Sequence, residues 1–256
     1  MIFRILFHCL LLLYTLQTEA KDEIPVVAVA ANFSPVLEEI VNQFTISSGH
    51  KVRISTGASG NLFRQIEQGA PFELFLSANE TYIEQLHENG LSPDAGRLYA
   101  TGKLVLFIPY TSRLDKMQNV QDILRKLISD KSYRIAIANP ELAPYGLAAK
   151  QVLSRFATYH MLSDHIILGE NVGQTAQFAL TGSVDAAFLP YSLAISKHIQ
   201  SAGYFEHLPT DWYRPINQRM VLLNNAGESV RQLYDYLVSN NAQQIILKYG
   251  FALPED

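Results

Sequence analysis

Short apolar runs alternate with amphipathic stretches along this chain, and glycine, proline and asparagine punctuate the changes. Val26 to Ala31 (VVAVAA) is a continuous apolar run, the pattern of a strand covered on both faces. Ser34 then offers an N-cap and Pro35 a first helical residue. Leu37, Ile40, Val41 and Phe44 follow at i, i+3, i+4 and i+7, one face of a helix, and Gly49 suits a left-handed stop. The unit recurs. Lys51 to Ser55 reads as a strand, Gly57-Ala58-Ser59-Gly60 as a tight loop, and Asn61 to Gln68 as a helix ended by Gly69. Leu74 to Ser77 is a third strand, and the helix carrying Tyr82 and Leu86 stops at Gly90. This βαβαβα order predicts a mainly parallel sheet with right-handed crossovers.

After the apolar run Leu104 to Ile108, Pro109 and a polar stretch interrupt the pattern, and a second series begins. It predicts helix Val120 to Ile128, strand Arg134 to Ala138, helix Gly146 to Phe156, strand His165 to Leu168, helix Gln174 to Leu180 and strand Asp185 to Leu189. A strand at Met220 to Leu223 and two amphipathic helices, near Val230 to Val238 and Ala242 to Tyr249, complete the chain. No Pro-, Gly- or Ser-rich linker separates the two α/β sets. They therefore predict two lobes joined by crossing strands, with ligands beyond the carboxyl ends of the strands.

Residues 1–20 break the pattern. Arg4 precedes an apolar stretch of 12 residues, Ile5 to Leu16. That is too short to span a bilayer, which takes about 20. Thr18-Glu19-Ala20 then fits a small-x-small cleavage motif. We expect a cleaved secretory signal over 1–20. Its removal takes away Cys9, the only cysteine, so neither disulfide nor thiol chemistry is expected in the mature chain. With 48% hydrophobic and 17% charged residues, the chain has ordinary globular composition, which excludes disorder and coiled coil. A net charge of −4 without a basic run argues against nucleic acid as a partner.

Catalytic patterns are weak. Gly57-Ala58-Ser59-Gly60-Asn61 approaches G-x-S-x-G, but the second glycine falls one residue early. No histidines pair at the i, i+4 spacing that suits zinc, and no glycine-rich phosphate loop is present. Four loops stand out instead, each between a strand end and a helix start: Ala31 to Ser34, Gly57 to Asn61, Asn139 to Gly146, and Glu170 to Gly173. Helix starts leave backbone N–H groups unpaired and carry the positive end of the dipole. Taken singly, each loop is an ordinary cap. Converging, they would make an anion site with no formal positive charge, and Asn32 and Ser59 could add side-chain donors.

Several segments in combination carry a resemblance: Val27 to Asn32 (VAVAAN), Thr56 to Ile66 (TGASGNLFRQI), Gly69 to Ala78 (GAPFELFLSA), Asn139 to Lys150 (NPELAPYGLAAK), Tyr234 to Leu237 and Tyr249 to Phe251. Together they resemble the periplasmic molybdate-binding proteins of ABC transporters over essentially the whole chain after residue 20. The resemblance implies an α/β, two-lobe type II periplasmic-binding fold, with mainly parallel sheets, helices on both faces and two crossing strands at the hinge. Lobe 1 would comprise 21–104 and 215–256, and lobe 2 would comprise 105–214. It implies ligand contacts at Asn32 and Ser59 in the first lobe, and at the N–H groups of Tyr145 and Val172 in the second. Ala31 and Tyr191 are weaker candidates. Ala31 stands where some relatives have threonine. Tyr191 comes one residue after the position of a tyrosine ligand, which Pro190 occupies here.

The resemblance further implies a monomeric receptor without catalysis or cofactor. Molybdenum would enter only as molybdate, and tungstate would bind comparably. The partner would be an inner-membrane permease with its ATPase. A receptor for sulfate or phosphate, or an enzyme or sensor domain reusing the fold, stays open as an alternative. Because an unprotonated dianion only accepts hydrogen bonds, Glu141 and Glu170 are expected to point to solvent. Affinity is expected to depend only weakly on salt.

Overall fold

The computed structural model describes residues 24–114, 119–156 and 164–254. The expected signal segment lies outside the described residues. Among the described residues, ten strands form two five-stranded sheets. The first sheet has the order β2-β1-β3-β10-β4 and the second β7-β6-β8-β5-β9. The strands of sheet 1 are β1 (Val26–Ala30), β2 (Arg53–Gly57), β3 (Phe72–Ser77), β4 (Arg97–Gly102) and β10 (Ile216–Leu222). Those of sheet 2 are β5 (Leu104–Pro109), β6 (Ile135–Ala138), β7 (Ile166–Gly169), β8 (Ala186–Pro190) and β9 (Gly203–His207).

In each sheet four strands run one way and the fourth in order runs against them. β1 is parallel to β2 and β3, and β10 is antiparallel to β3 and β4. In the second sheet β6 is parallel to β7 and β8, and β5 is antiparallel to β8 and β9. The reversed strand of each sheet is the one entered directly after a crossing. The chain leaves sheet 1 through Lys103 into β5, and returns from β9 into β10.

Helices cover both faces. The first series contains α1 (Ser34–Ser48), α2 (Ser59–Glu67) and α3 (Glu80–Glu88). The second contains α4 (Val120–Ser129), α5 (Pro144–Ser154), α6 (Val172–Leu180) and two single turns, α7 (Tyr191–Ala194) and α8 (Lys197–Gln200). α9 (Glu228–Tyr236) and α10 (Asn240–Lys248) follow β10. The continuous apolar run of β1 is needed because both its faces are covered. Val27 and Val29 pack toward α1, α9 and α10, while Ala28 faces the α2 and α3 side. Gly49 ends α1 at φ 79°, as its position predicts. Ser34 is the first residue of α1 rather than its cap, and its hydroxyl pairs with Thr56 Oγ1 at 2.8 Å.

Candidate functional site

Four helix starts and their preceding strands meet between the sheets. Ala31 to Phe33 link β1 to α1, Ala58 links β2 to α2, the loop after β6 leads into α5, and Glu170 and Asn171 link β7 to α6. All lie beyond the carboxyl ends of parallel strands, where open α/β sheets place ligands. They surround a small cavity whose lining includes Ala31, Asn32, Ser59, Tyr145 and Val172. Apart from Ala31, these four are at most 4% exposed. Ala58, Ala78 and Ala143 complete the wall with methyl groups. No residue lining the cavity is charged. Two larger grooves, of about 360 and 660 Å³, run along Leu147, Gln151 and Arg214; the first also takes in the starts of α3 at Glu80 and of α5 at Pro144, but charged side chains line both, Arg214 in each and Glu80 in the first.

The local bonding turns donors inward. Ser59 Oγ accepts the N–H of Ala78 at 3.0 Å, which leaves its own O–H free for the cavity. Asn171 caps α6 by accepting the N–H groups of Gly173 and Gln174 at 2.9 and 3.1 Å. That cap satisfies the second and third residues of the helix and spares the first, Val172. Tyr145 is the second residue of α5, after Pro144, which has no N–H to offer. Its N–H belongs to the unpaired first turn.

The side chain of Tyr145 does something else. Its hydroxyl accepts from Gln218 Nε2 at 3.3 Å and lies 3.5 Å from Asn32 Nδ2. Burial pushes this phenol far above the usual tyrosine range, so it stays neutral. Asn32 Nδ2 also donates to Gln218 Oε1 at 3.0 Å. Both side-chain donors that the sequence offers at Asn32 are therefore directed behind the cavity, to Gln218 Oε1 and to the Tyr145 hydroxyl.

The two sheets are drawn together around the cavity. The N–H of Gly60 donates to Leu142 O at 2.9 Å, Ser192 Oγ donates to Asn32 O at 3.0 Å, and Asn61 Nδ2 donates to Glu170 Oε1 at 2.9 Å. Each bond joins the first α/β set to the second. The cavity they close is about 10 Å³, the order of a single water site.

Asn32, Ser59, Tyr145, Val172 and Ala31 thus come together. Tyr191 does not join them: its ring packs against Phe205 and His207 at 5.5 and 5.0 Å. Its neighbour Ser192 reaches the Asn32 loop instead. Glu141 is exposed, as expected. Glu170 is also exposed and outside the cavity lining, but it is not free in solvent, because it holds Asn61 across the cleft. Gln218, Ser192 and Asn171 were not singled out from the sequence. For Gln218 a signal existed: alternation along β10 puts it on the inward row with Ile216 and Met220, a polar residue on an apolar face.

Two α/β lobes drawn together over a cavity lined by neutral donors define a solute-binding protein. The chain belongs to the bacterial extracellular solute-binding protein family, whose model matches residues 25–252, and within it to the molybdate-binding proteins. It is 38% identical over 229 residues to the molybdate-binding protein ModA of Rhodobacter capsulatus, covering 88% of this chain and 87% of that one. It is 35% identical over 230 residues to ModA of Azotobacter vinelandii, covering 89% of each. Among solved structures it is similar to the Azotobacter vinelandii periplasmic molybdate-binding protein, with a TM-score of 0.80 at 32% identity over 90% of this chain and 100% of that chain. The sulfate-binding protein SubI of Mycobacterium tuberculosis H37Rv shares the fold, with a TM-score of 0.71 at 17% identity over 91% of this chain and 87% of that one.

Proposed function

We propose that this protein is a periplasmic receptor that captures molybdate, and tungstate comparably, between its lobes and delivers it to an inner-membrane ABC permease with its ATPase. It acts as a monomer after loss of residues 1–20, without cofactor or catalytic step. Its lobes are 21–104 with 215–256, and 105–214. The change of sheet between Gly102 and Leu104 and between His207 and Ile216 supports this division except at Leu104 itself, which opens β5 of the second sheet.

One observation carries the reading: the cavity is walled by donors and methyl groups, and no carboxylate lines it. Molybdate carries two charges and no proton at neutral pH, so it accepts hydrogen bonds and donates none. Phosphate often keeps a proton and would call for an acceptor. Ser59 O–H and the N–H groups of Tyr145 and Val172, with the Asn32 loop, supply the donors. Bonds to a charged group contribute roughly 1.5–3 kcal/mol each. A handful, less desolvation and closure, suits micromolar to nanomolar binding, about −8 to −12 kcal/mol. Contacts from both lobes make the anion favour the closed form, and the permease reads that population shift.

The tightness of the cavity favours one second reading, a receptor for sulfate, the smaller dianion of the same charge and shape. A thermal-shift panel decides. A ligand at about 1,000 times its dissociation constant stabilises by about 4 kcal/mol. We expect upward shifts with molybdate and tungstate and none with sulfate or phosphate. A larger shift with sulfate replaces molybdate as the ligand, and no shift with any anion overturns the receptor reading.

A further inference from the structure

Behind the cavity lies a buried polar network whose centre, Gln218, does not line the ligand space. Gln218 is its centre and is fully buried. Its Oε1 accepts from Tyr99 O–H and from Asn32 Nδ2, both at 3.0 Å, and its Nε2 donates to the Tyr145 hydroxyl at 3.3 Å. Gln218 and its three partners come from different places: Asn32 from the β1–α1 loop, Tyr99 from β4, Tyr145 from the first turn of α5, and Gln218 from the strand that returns from the second lobe.

Two independent features build this arrangement. β4 carries a bulge at this point. Gln218 pairs with Ala100 and Arg219 with Leu98, so Tyr99 is the extra residue, and its hydroxyl reaches Gln218. The slot that receives the Tyr145 hydroxyl exists because residue 102 is glycine: a Cβ there would overlap that hydroxyl and approach Gln218 Nε2 at 3.0 Å.

We infer that Gln218 is a positioning residue for the anion site. It holds the Asn32 loop and the start of α5 at the spacing in which their N–H groups address one anion. The inference rests on the reading that the cavity takes an oxyanion. Asn32 and Tyr145 belong to opposite lobes, and the amide between them stands on the strand that joins the lobes. The bond from Gln218 to Tyr145 forms when α5 swings in, so it acts chiefly on the closed form. Losing it speeds opening and ligand escape. Oε1 accepts two donors and turns no lone pair toward the ligand, which keeps the rear wall free of acceptors.

The test uses two substitutions of similar size. Gln218→Met keeps packing and removes the hydrogen bonds. Gln218→Glu keeps the acceptor for Tyr99 and Asn32 but replaces the donor to Tyr145. Molybdate affinity is measured by titration calorimetry, release by stopped-flow fluorescence of Trp212, the only tryptophan, and folding by thermal melts without ligand. We expect each folded variant to bind about tenfold or more weakly, mostly through faster release. A purely structural role would lower the melting temperature and leave affinity and release unchanged, and that result overturns the inference. If Gln218→Met does not fold, Gln218→Glu decides by the same criteria. The wild-type titration separates the two claims. No heat with wild-type protein overturns the functional reading and this inference with it. Normal wild-type binding matched by both variants overturns the inference alone.

Discussion

Ser59→Ala tests the donor wall most directly, because the hydroxyl has two separable duties. It accepts the Ala78 N–H at 3.0 Å, and its own O–H, at the cavity wall, is left to serve as a donor. Removing it deletes one donor to a dianion. A hydrogen bond to a charged group contributes about 1.5–3 kcal/mol, so the dissociation constant should rise roughly 10- to 150-fold. Removing it also strands a buried N–H, which destabilises by about 1–3 kcal/mol. In a chain of this size that lowers the melting temperature by roughly 2–12 °C. The second effect acts on free and bound protein alike and cancels from the dissociation constant. Titration calorimetry with molybdate reads the first effect, and scanning calorimetry without ligand reads the second. A variant that melts earlier yet binds within about twofold of wild type would refute the reasoning, because Ser59 would then only brace Ala78.

Gly60→Ala places a Cβ 2.8 Å from the Tyr82 hydroxyl and 3.0 Å from Leu142 O, so closure becomes strained. We expect weaker binding with unimpaired stability of the free protein, and a ligand-induced decrease in radius of gyration by small-angle scattering that is smaller than in wild type. Raising sodium chloride from about 50 to 500 mM should change affinity less than about threefold, because no basic side chain lines the cavity; a much steeper loss would reveal one. Glu170→Gln should bind within about twofold of wild type by calorimetry, since the amide oxygen can still accept from Asn61 at an exposed site. Burial holds the phenols of Tyr99 and Tyr145 above the ordinary value of 10.0 and pushes Tyr234 up to about 12. The unfolded chain loses these protons first, so their contribution to stability is constant below about pH 10 and falls as pH rises through the folded values. Thermal melts should be flat with respect to these groups up to about pH 9 and decline above pH 10, less steeply in Tyr99→Phe.

The strands legible in the sequence are those buried on both faces, where composition alone marks them. β1 and β5 are continuous apolar runs and were placed almost to the residue. β4 (RLYATG) and β9 (GYFEH) give no strand signal in the apolar pattern. Each is an edge strand, ending the order of its sheet, and carries polar or glycine residues that break the apolar signal. The apolar pattern marks helix starts two residues late, at Asn61, Gly146 and Gln174 rather than at Ser59, Pro144 and Val172, because the first turn holds glycine or a residue at the cavity wall. Asn32 and Ser59 are legible because each stands at a local junction of strand and helix; Tyr145 and Val172 lie in two further junction loops, and only the resemblance singles them out within those loops. Gln218 and Ser192 depend on partners 186 and 160 residues away, and no local pattern carries that information.

The reversed strand of the first sheet has a consequence for how the molecule is made. β5 to β9 are continuous in the chain, so the second lobe has all its strands once His207 has emerged. At that moment the first sheet has a gap between β3 and β4, and the core that Leu233, Tyr234 and Ile246 will fill is open. Two naked strand edges wait for β10, and such edges invite pairing with another chain. The strand that closes the gap also brings Gln218 to Asn32 and Tyr99. Completion of the sheet and assembly of the wall behind the cavity are therefore one event, late in biogenesis. A copy that stops before β10 is an aggregation hazard that lacks the wall behind the cavity.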